Sequence, residues 1–412
     1  IWTYRTECSD RRNVGLRSYG GAVACQAYTG DLAIYRHGFI KTEPGTRYFI
    51  YDDGTPFFYL GDNHCHMVME DFDDRFRTTV DARAEQGFTV IQSQPFGPWT
   101  AKGKDSCFTG IYEEFSEALL SQFQLYDKYF AYIAEKGLVH ANAQFSAAEY
   151  LEEYEKSLSE EDLVRLCRYW IARYGAYPTV WTMARENGGT ACEDEIPASA
   201  SPWKKVAAYL FENDPYRHPL TMQQSQTHDT QLSETSFREV KGHSWYAVRH
   251  IWNLKNTVPN DVFRSYWEER QKVSVLYESK YDHFRTGTTG ARAQGWVAYL
   301  SGMYGYGYGS QKIWSANEAP GIWAGDIQST FYDGYDTLTW EEMNLSWEES
   351  LRLPAAEQLG YMKRFLHEAK WWRLVPAFGS SLDFSKHGLV KYVMARDGEN
   401  TAVLYFLNQT TD

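Results

Sequence analysis

Val273-Ser274-Val275-Leu276-Tyr277-Glu278 is a run of mostly apolar residues that stops on a carboxylate. A short run rich in β-branched and aromatic residues suits a strand buried on both faces, as in a parallel sheet. Outward from it the pattern recurs. Phe57–Gly61, Thr89–Gln94, Leu138–Gln144, Val180–Glu186, Leu220–Gln224 and Trp245–Trp252 precede it, and Met303–Gly309 follows. Amphipathic stretches separate these strands. Phe72, Phe76, Val80 and Ala84 share one face of a helix over Phe72–Gln86. Ser159 with Glu160, Glu161 and Asp162 forms an N-cap and an acidic first turn, and Pro178 stops that helix before the next strand. The spacing is about one βα unit per ~32 residues, the pace of a (β/α)8 barrel, which takes ~250 residues. The expected fold is therefore α/β, a TIM barrel with β-rich segments at both ends.

Three parts are expected. Residues 1–55 close an N-terminal β domain and add an entry hairpin, with Ile1–Thr6 alternating at period two and Tyr48–Tyr51 as a short strand. Residues 56–375 form the barrel, including a Trp-rich stretch over 310–353 and a helix over Pro354–Trp371. Residues 376–412 begin a C-terminal β domain, with strands Val390–Ala395 and Thr401–Leu407 around the turn Asp397-Gly398-Glu399-Asn400.

The 412 residues carry 41 Lys and Arg against 54 Asp and Glu, a net charge of −13. That balance opposes binding to phosphate backbones and anionic membranes, so neither nucleic acid nor membrane is expected as a partner. No apolar run approaches the ~20 residues of a membrane span. The chain holds 15 Trp, 31 Tyr and 22 Phe, flat faces with polar edges that suit sugar rings and point to a carbohydrate partner. The six cysteines form no CxxC pair and no zinc spacing, so free buried thiols are expected, with Cys8–Cys25 as the pair to test for a bridge.

In a barrel of this type the chemistry gathers at the C-terminal ends of the strands. Two carboxylates close strands there, Glu186 on the fourth and Glu278 on the seventh. Hydrolysis of a glycosidic bond needs such a pair, one to protonate the leaving oxygen and one to attack the anomeric carbon or activate water. Around them stand groups suited to grip sugar hydroxyls: Asp62, His64 and His66 after the first strand, Gln92 and Gln94 on the second, Gln223 and Gln224 on the fifth. Tyr246 and Tyr281 could hold Glu278 ionised by hydrogen bonding. Tyr306, Trp99, Trp314 and Trp323 are further candidates for contact with substrate. Gly302–Gly309 alternates Tyr with Gly but lacks the Lys-Ser/Thr of a phosphate loop; its glycines are expected to allow close backbone approach.

Gly54-Thr55-Pro56-Phe57-Phe58-Tyr59-Leu60-Gly61-Asp62, Gly87-Phe88-Thr89-Val90-Ile91-Gln92, the strand-four acid and the Tyr277-Glu278 pair resemble the apiosidase-like (β/α)8 glycoside hydrolases over residues ~45 to ~370. The sequence departs from the family's pattern at Arg185-Glu186-Asn187 and at His64-Cys65-His66, both where substrate would lie. The resemblance extends to the clan of retaining barrel glycosidases. It implies Glu186 as acid/base, Glu278 as nucleophile, and no cofactor or metal. Two other readings stay open on the residues alone. One is a metal-dependent, amidohydrolase-like hydrolase built on His64 and His66, with His228 and His250 as further ligands. The other is a non-catalytic carbohydrate-binding barrel.

Overall fold

A computed structural model of the chain describes residues 1–65, 67–93, 117–143, 160–183, 203–223, 241–249, 261–278, 281–282, 288–314, 345–378, 390–398 and 400–408. Its centre is an eight-stranded sheet of β5 (Tyr59–Asn63), β6 (Val90–Ser93), β7 (Val139–Asn142), β8 (Thr179–Thr182), β9 (Leu220–Thr221), β10 (Trp245–Arg249), β11 (Val273–Glu278) and β12 (Gly305–Tyr308). Every ladder between them is parallel. β12 pairs with β5, and the parallel bridges Leu220↔His243 and Gln223↔Ala247 join β9 to β10, so the sheet runs round to meet itself. All eight expected strands are present, each within a few residues of its expected bounds.

Three apolar layers hold this barrel. Its interior packs Tyr59, Val90, Val139, Val180, Trp245, Val273, Val275 and Tyr277. Ile34, Ile40, Phe49 and Phe57 join the same cluster from the preceding chain. The hairpin of β3 (Ile40–Lys41) and β4 (Ile50–Tyr51) therefore forms the barrel floor, with the Phe49 ring 5.3 Å from Trp245 and 5.7 Å from Tyr59. Outside, the helices Glu117–Glu135, Glu160–Tyr174 and Trp203–Asn213 cover one flank, burying Phe130, Trp170 and Leu210 against Ile91 and Trp181. The helices Thr288–Leu300 and Pro354–Glu368 cover the other, where Phe58 stacks on Tyr299 at 4.2 Å. Each fully buried side chain of this size contributes roughly 1.5–3 kcal/mol.

The helix expected over Phe72–Gln86 begins as a wider turn, Phe72–Phe76, capped by the Asp71 carboxylate, and continues as Arg77–Glu85. Phe76 and Val80 are buried, as the spacing requires. At the N-terminal end β1 (Trp2–Arg5) and β2 (Gly20–Val23) form an antiparallel hairpin. At the other end β13 (Val375–Pro376), β14 (Val390–Asp397) and β15 (Thr401–Asn408) form an antiparallel sheet. Val393, Ala395 and Val403 of that sheet share one core with the Thr288–Leu300 helix, and Tyr405 stacks on Trp296 at 5.4 Å. Cys65 and Cys167 are buried and Cys8 is half-buried, Cys25 is exposed, and none of these four is in a disulfide.

Candidate active site

β11 carries the irregularity that shapes the site. Its register against β10 runs Val248↔Leu276 and then Arg249↔Glu278, so Tyr277 is an extra residue. Such a bulge re-aims the side chain that follows it and recurs at barrel rims. Strict alternation would turn Glu278 away from the interior, where Tyr277 packs. With the bulge, both point inward. The bulge leaves backbone carbonyls in need of donors. Gln92 Nε2 donates to Tyr277 O at 2.8 Å and to Asn63 Oδ1 at 2.9 Å. Asn63 Nδ2 donates to Tyr308 O at 3.1 Å and Tyr277 O at 3.3 Å. Tyr59 donates its hydroxyl to Gln92 Oε1 at 3.2 Å. A polar layer thus lies within the barrel below the acid.

Glu278 is 3% exposed, and donors from two of the described residues meet it. Gln223 Nε2 donates to Oε2 at 2.6 Å, and the Tyr281 hydroxyl donates to Oε1 at 2.5 Å. Gln223 reaches this point because its bridge to Ala247 carries the chain on past the short β9. Donors on both oxygens favour the ionised carboxylate. Trp314, half-buried on the helix Gln311–Trp314, lies beside the Tyr281 ring. Asp282, next in the chain, accepts from the Tyr308 hydroxyl at 3.1 Å. Burial first, and then the Asp282 carboxylate, push the Tyr308 phenol far above its ordinary value, so it remains a donor.

Other expected site residues lie elsewhere. The Gln92 amide is engaged in the polar layer beneath Glu278, so its expected contact with a sugar hydroxyl is replaced by support of the backbone. Asp62 faces the flank and is fully buried; Arg83 Nε stands 3.1 Å from its Oδ2, an ion contact short of hydrogen-bond geometry. His64 Nε2 meets Glu70 Oε2 at 2.8 Å, and Glu70 Oε1 accepts from the Trp347 indole at 3.0 Å. Both rings and the carboxylate are buried. Neither Asp62 nor His64 therefore offers an exposed group to substrate.

Tyr246 and Tyr306 correct the expectation more sharply. Tyr246 packs outward against Tyr266 and Phe263, and Tyr306 sends its hydroxyl to Ala291 O on the helix behind the sheet. On β12 the glycines face inward and the tyrosines outward, because a Cβ on Gly307 would stand 2.0 Å from Tyr277 O. Glu186, His66, Gln94, Trp99, Gln224 and Trp323 lie outside the described residues. Sequence reasoning missed Asn63 and Glu70, which no motif marks. Among the described residues no three His, Cys, Asp or Glu side chains gather as a metal site requires.

The description "Apiosidase-like, catalytic domain" matches residues 43–373. No curated protein matches the chain. Among solved structures, a glycoside hydrolase family 5 protein from Bacteroides vulgatus is similar with a TM-score of 0.66 and 16% identity, over 88% of this chain and 79% of that one. A second solved glycoside hydrolase gives 0.64 and 16%, over 88% and 83%. At that identity the likeness is one of fold.

Proposed function

The chain belongs to the apiosidase-like catalytic-domain family and is a glycosidase, and from that premise we propose that it cleaves O-glycosidic bonds with retention, Glu278 as nucleophile and Glu186 as acid/base. The observation that carries this reading is the Glu278 carboxylate, turned inward by a bulge at the strand end and met by Tyr281 and Gln223. An attacking carboxylate must be ionised and fixed in direction, and two donors on its two oxygens serve both needs. In the first step Glu278 attacks the anomeric carbon while the Glu186 carboxyl gives its proton to the departing oxygen. In the second, Glu186 takes a proton from water, which attacks the same carbon and releases Glu278. The substrate is a carbohydrate. The family's catalytic character and the engagement of His64 with Glu70 both favour this chemistry over a metal-dependent hydrolase at His64 and His66.

The test is stereochemical. Proton NMR of the first product anomer should show the configuration of the substrate. Glu278→Gly should lower turnover by about 10⁴-fold or more, and azide should then yield a glycosyl azide of inverted configuration. An inverted first product from the wild type would falsify the retaining mechanism.

A further inference from the structure

We propose that Gly309, the residue that follows β12, is a positioning residue for Glu278 and acts through Tyr281; the proposal rests on Glu278 being the nucleophile. A Cβ at Gly309 would stand 1.9 Å from Tyr281 Cδ1 and 2.1 Å from Cε1. Its φ lies outside the left-handed region, so the backbone itself would accept any L-residue. Glycine is required here for space alone, and the space is filled by the ring whose hydroxyl donates to Glu278 Oε1.

The contact is too well braced to yield. Tyr281 is 2% exposed, with Trp314 beside it. The next residue is tied to the same stretch of strand end. Asp282 N donates to Gly309 O at 2.8 Å, Asp282 bridges Ser310 in parallel register, and the Tyr308 hydroxyl holds the Asp282 carboxylate. The segment after the nucleophile is thus moulded onto the end of β12, and the ring seats against the bare Cα of Gly309. A methyl group there drives the phenol off Glu278 without touching the carboxylate. Glu278 would then keep the Gln223 donor on Oε2 but lose the one that fixes Oε1, and the aim that near-attack geometry needs would loosen.

The experiment uses the full chain and an aryl glycoside that the wild type hydrolyses. Gly309→Ala and Tyr281→Phe should each lower kcat by about 10- to 100-fold, the range for losing a hydrogen bond to a charged group. KM should change by less than about 3-fold, because binding is left intact. In a Tyr281→Ala background, where the ring is gone, adding Gly309→Ala should change kcat by less than about 2-fold. That double variant has room for the methyl group and remains informative even if Gly309→Ala alone fails to fold. Multiplied losses in the double variant, or a Gly309→Ala enzyme with wild-type kcat, overturn the proposal and leave Glu278 untouched. A fully active Glu278→Gln removes the catalytic reading itself, and the proposal with it.

Discussion

Trp314 lies beside Tyr281 with ring centroids 5.5 Å apart and planes tilted by 32°. Through Tyr281 it is one hydrogen bond from Glu278. A half-buried indole at that point presents a flat apolar surface at the edge of the site.

If sugar stacks there, Trp314→Ala should raise KM by about 10-fold, the worth of an aromatic contact. The effect on kcat should be smaller. Steady-state kinetics on two substrates of different length would show it. A fall in kcat alone would make Trp314 a support for Tyr281 and not a surface for sugar.

Glu186→Gln should cripple turnover of poor leaving groups far more than that of activated aryl glycosides. A nitrophenolate departs without a proton, so loss of the acid leaves the first step nearly intact. Azide, which needs no base, should restore the second. Equal loss across leaving groups, with no azide effect, would remove Glu186 from the acid/base role.

Activity should survive chelation. Acetal cleavage between two carboxylates needs no Lewis acid. Dialysis against EDTA followed by assay checks this; loss that zinc or manganese reverses would revive the reading built on His64 and His66.

Acid should weaken the fold through His140. Its imidazole is buried beneath Phe130, 2.5 Å from Ser93 Oγ, and burial holds its pKa down at about 3 against an ordinary 6.5. Between those values the unfolded chain binds one proton that the folded chain refuses. Stability therefore rises with pH across that window and falls on acidification, by ~1.4 kcal/mol per pH unit from this group. Urea melts at pH 4.5, 5.5 and 7 should show His140→Gln losing less than wild type as pH falls. Parallel profiles would exclude the histidine as the cause.

The architecture was legible because each barrel strand is a compact apolar run, and burial on both faces leaves little else for such a run to be. What sequence could not supply was facing. Tyr and Gly alternate across Gly302–Gly309, and period two says only that one set faces in. Which set is decided by neighbours far away in the chain: Gln92 and the Tyr277 carbonyl fill the room at Gly307. Tyr306 therefore reads in the sequence as a candidate for substrate contact, yet lies behind the sheet. The bulge at Tyr277 was hidden for the same reason, since it is a relation between β10 and β11 and not a property of either. Tyr281 is legible by nearness in sequence to Glu278, whereas Gln223 reads in the sequence as a partner for sugar hydroxyls and its bond to Glu278 is visible only in the fold. In the sequence, Asp62 and His64 point to the substrate because they stand at a strand end. Arg83 and Glu70, on the helical side of the barrel, meet them instead.

The pairing of β12 with β5 has a consequence for the order in which the chain matures. Tyr59 meets Gly305 and Asp62 meets Tyr308, so the first barrel strand must wait for the last. Contacts of such separation form late, after the loop-closure cost of the whole intervening chain has been met. Asn63, which steadies the bulge, comes from one of these strands, and Gly309 follows the other. As the nascent chain leaves the ribosome, Glu278 emerges before the residues that seat Tyr281 against it. The arrangement around Glu278 is complete only when the ring of strands closes, and an intermediate that stalls short of closure carries this carboxylate without its aim.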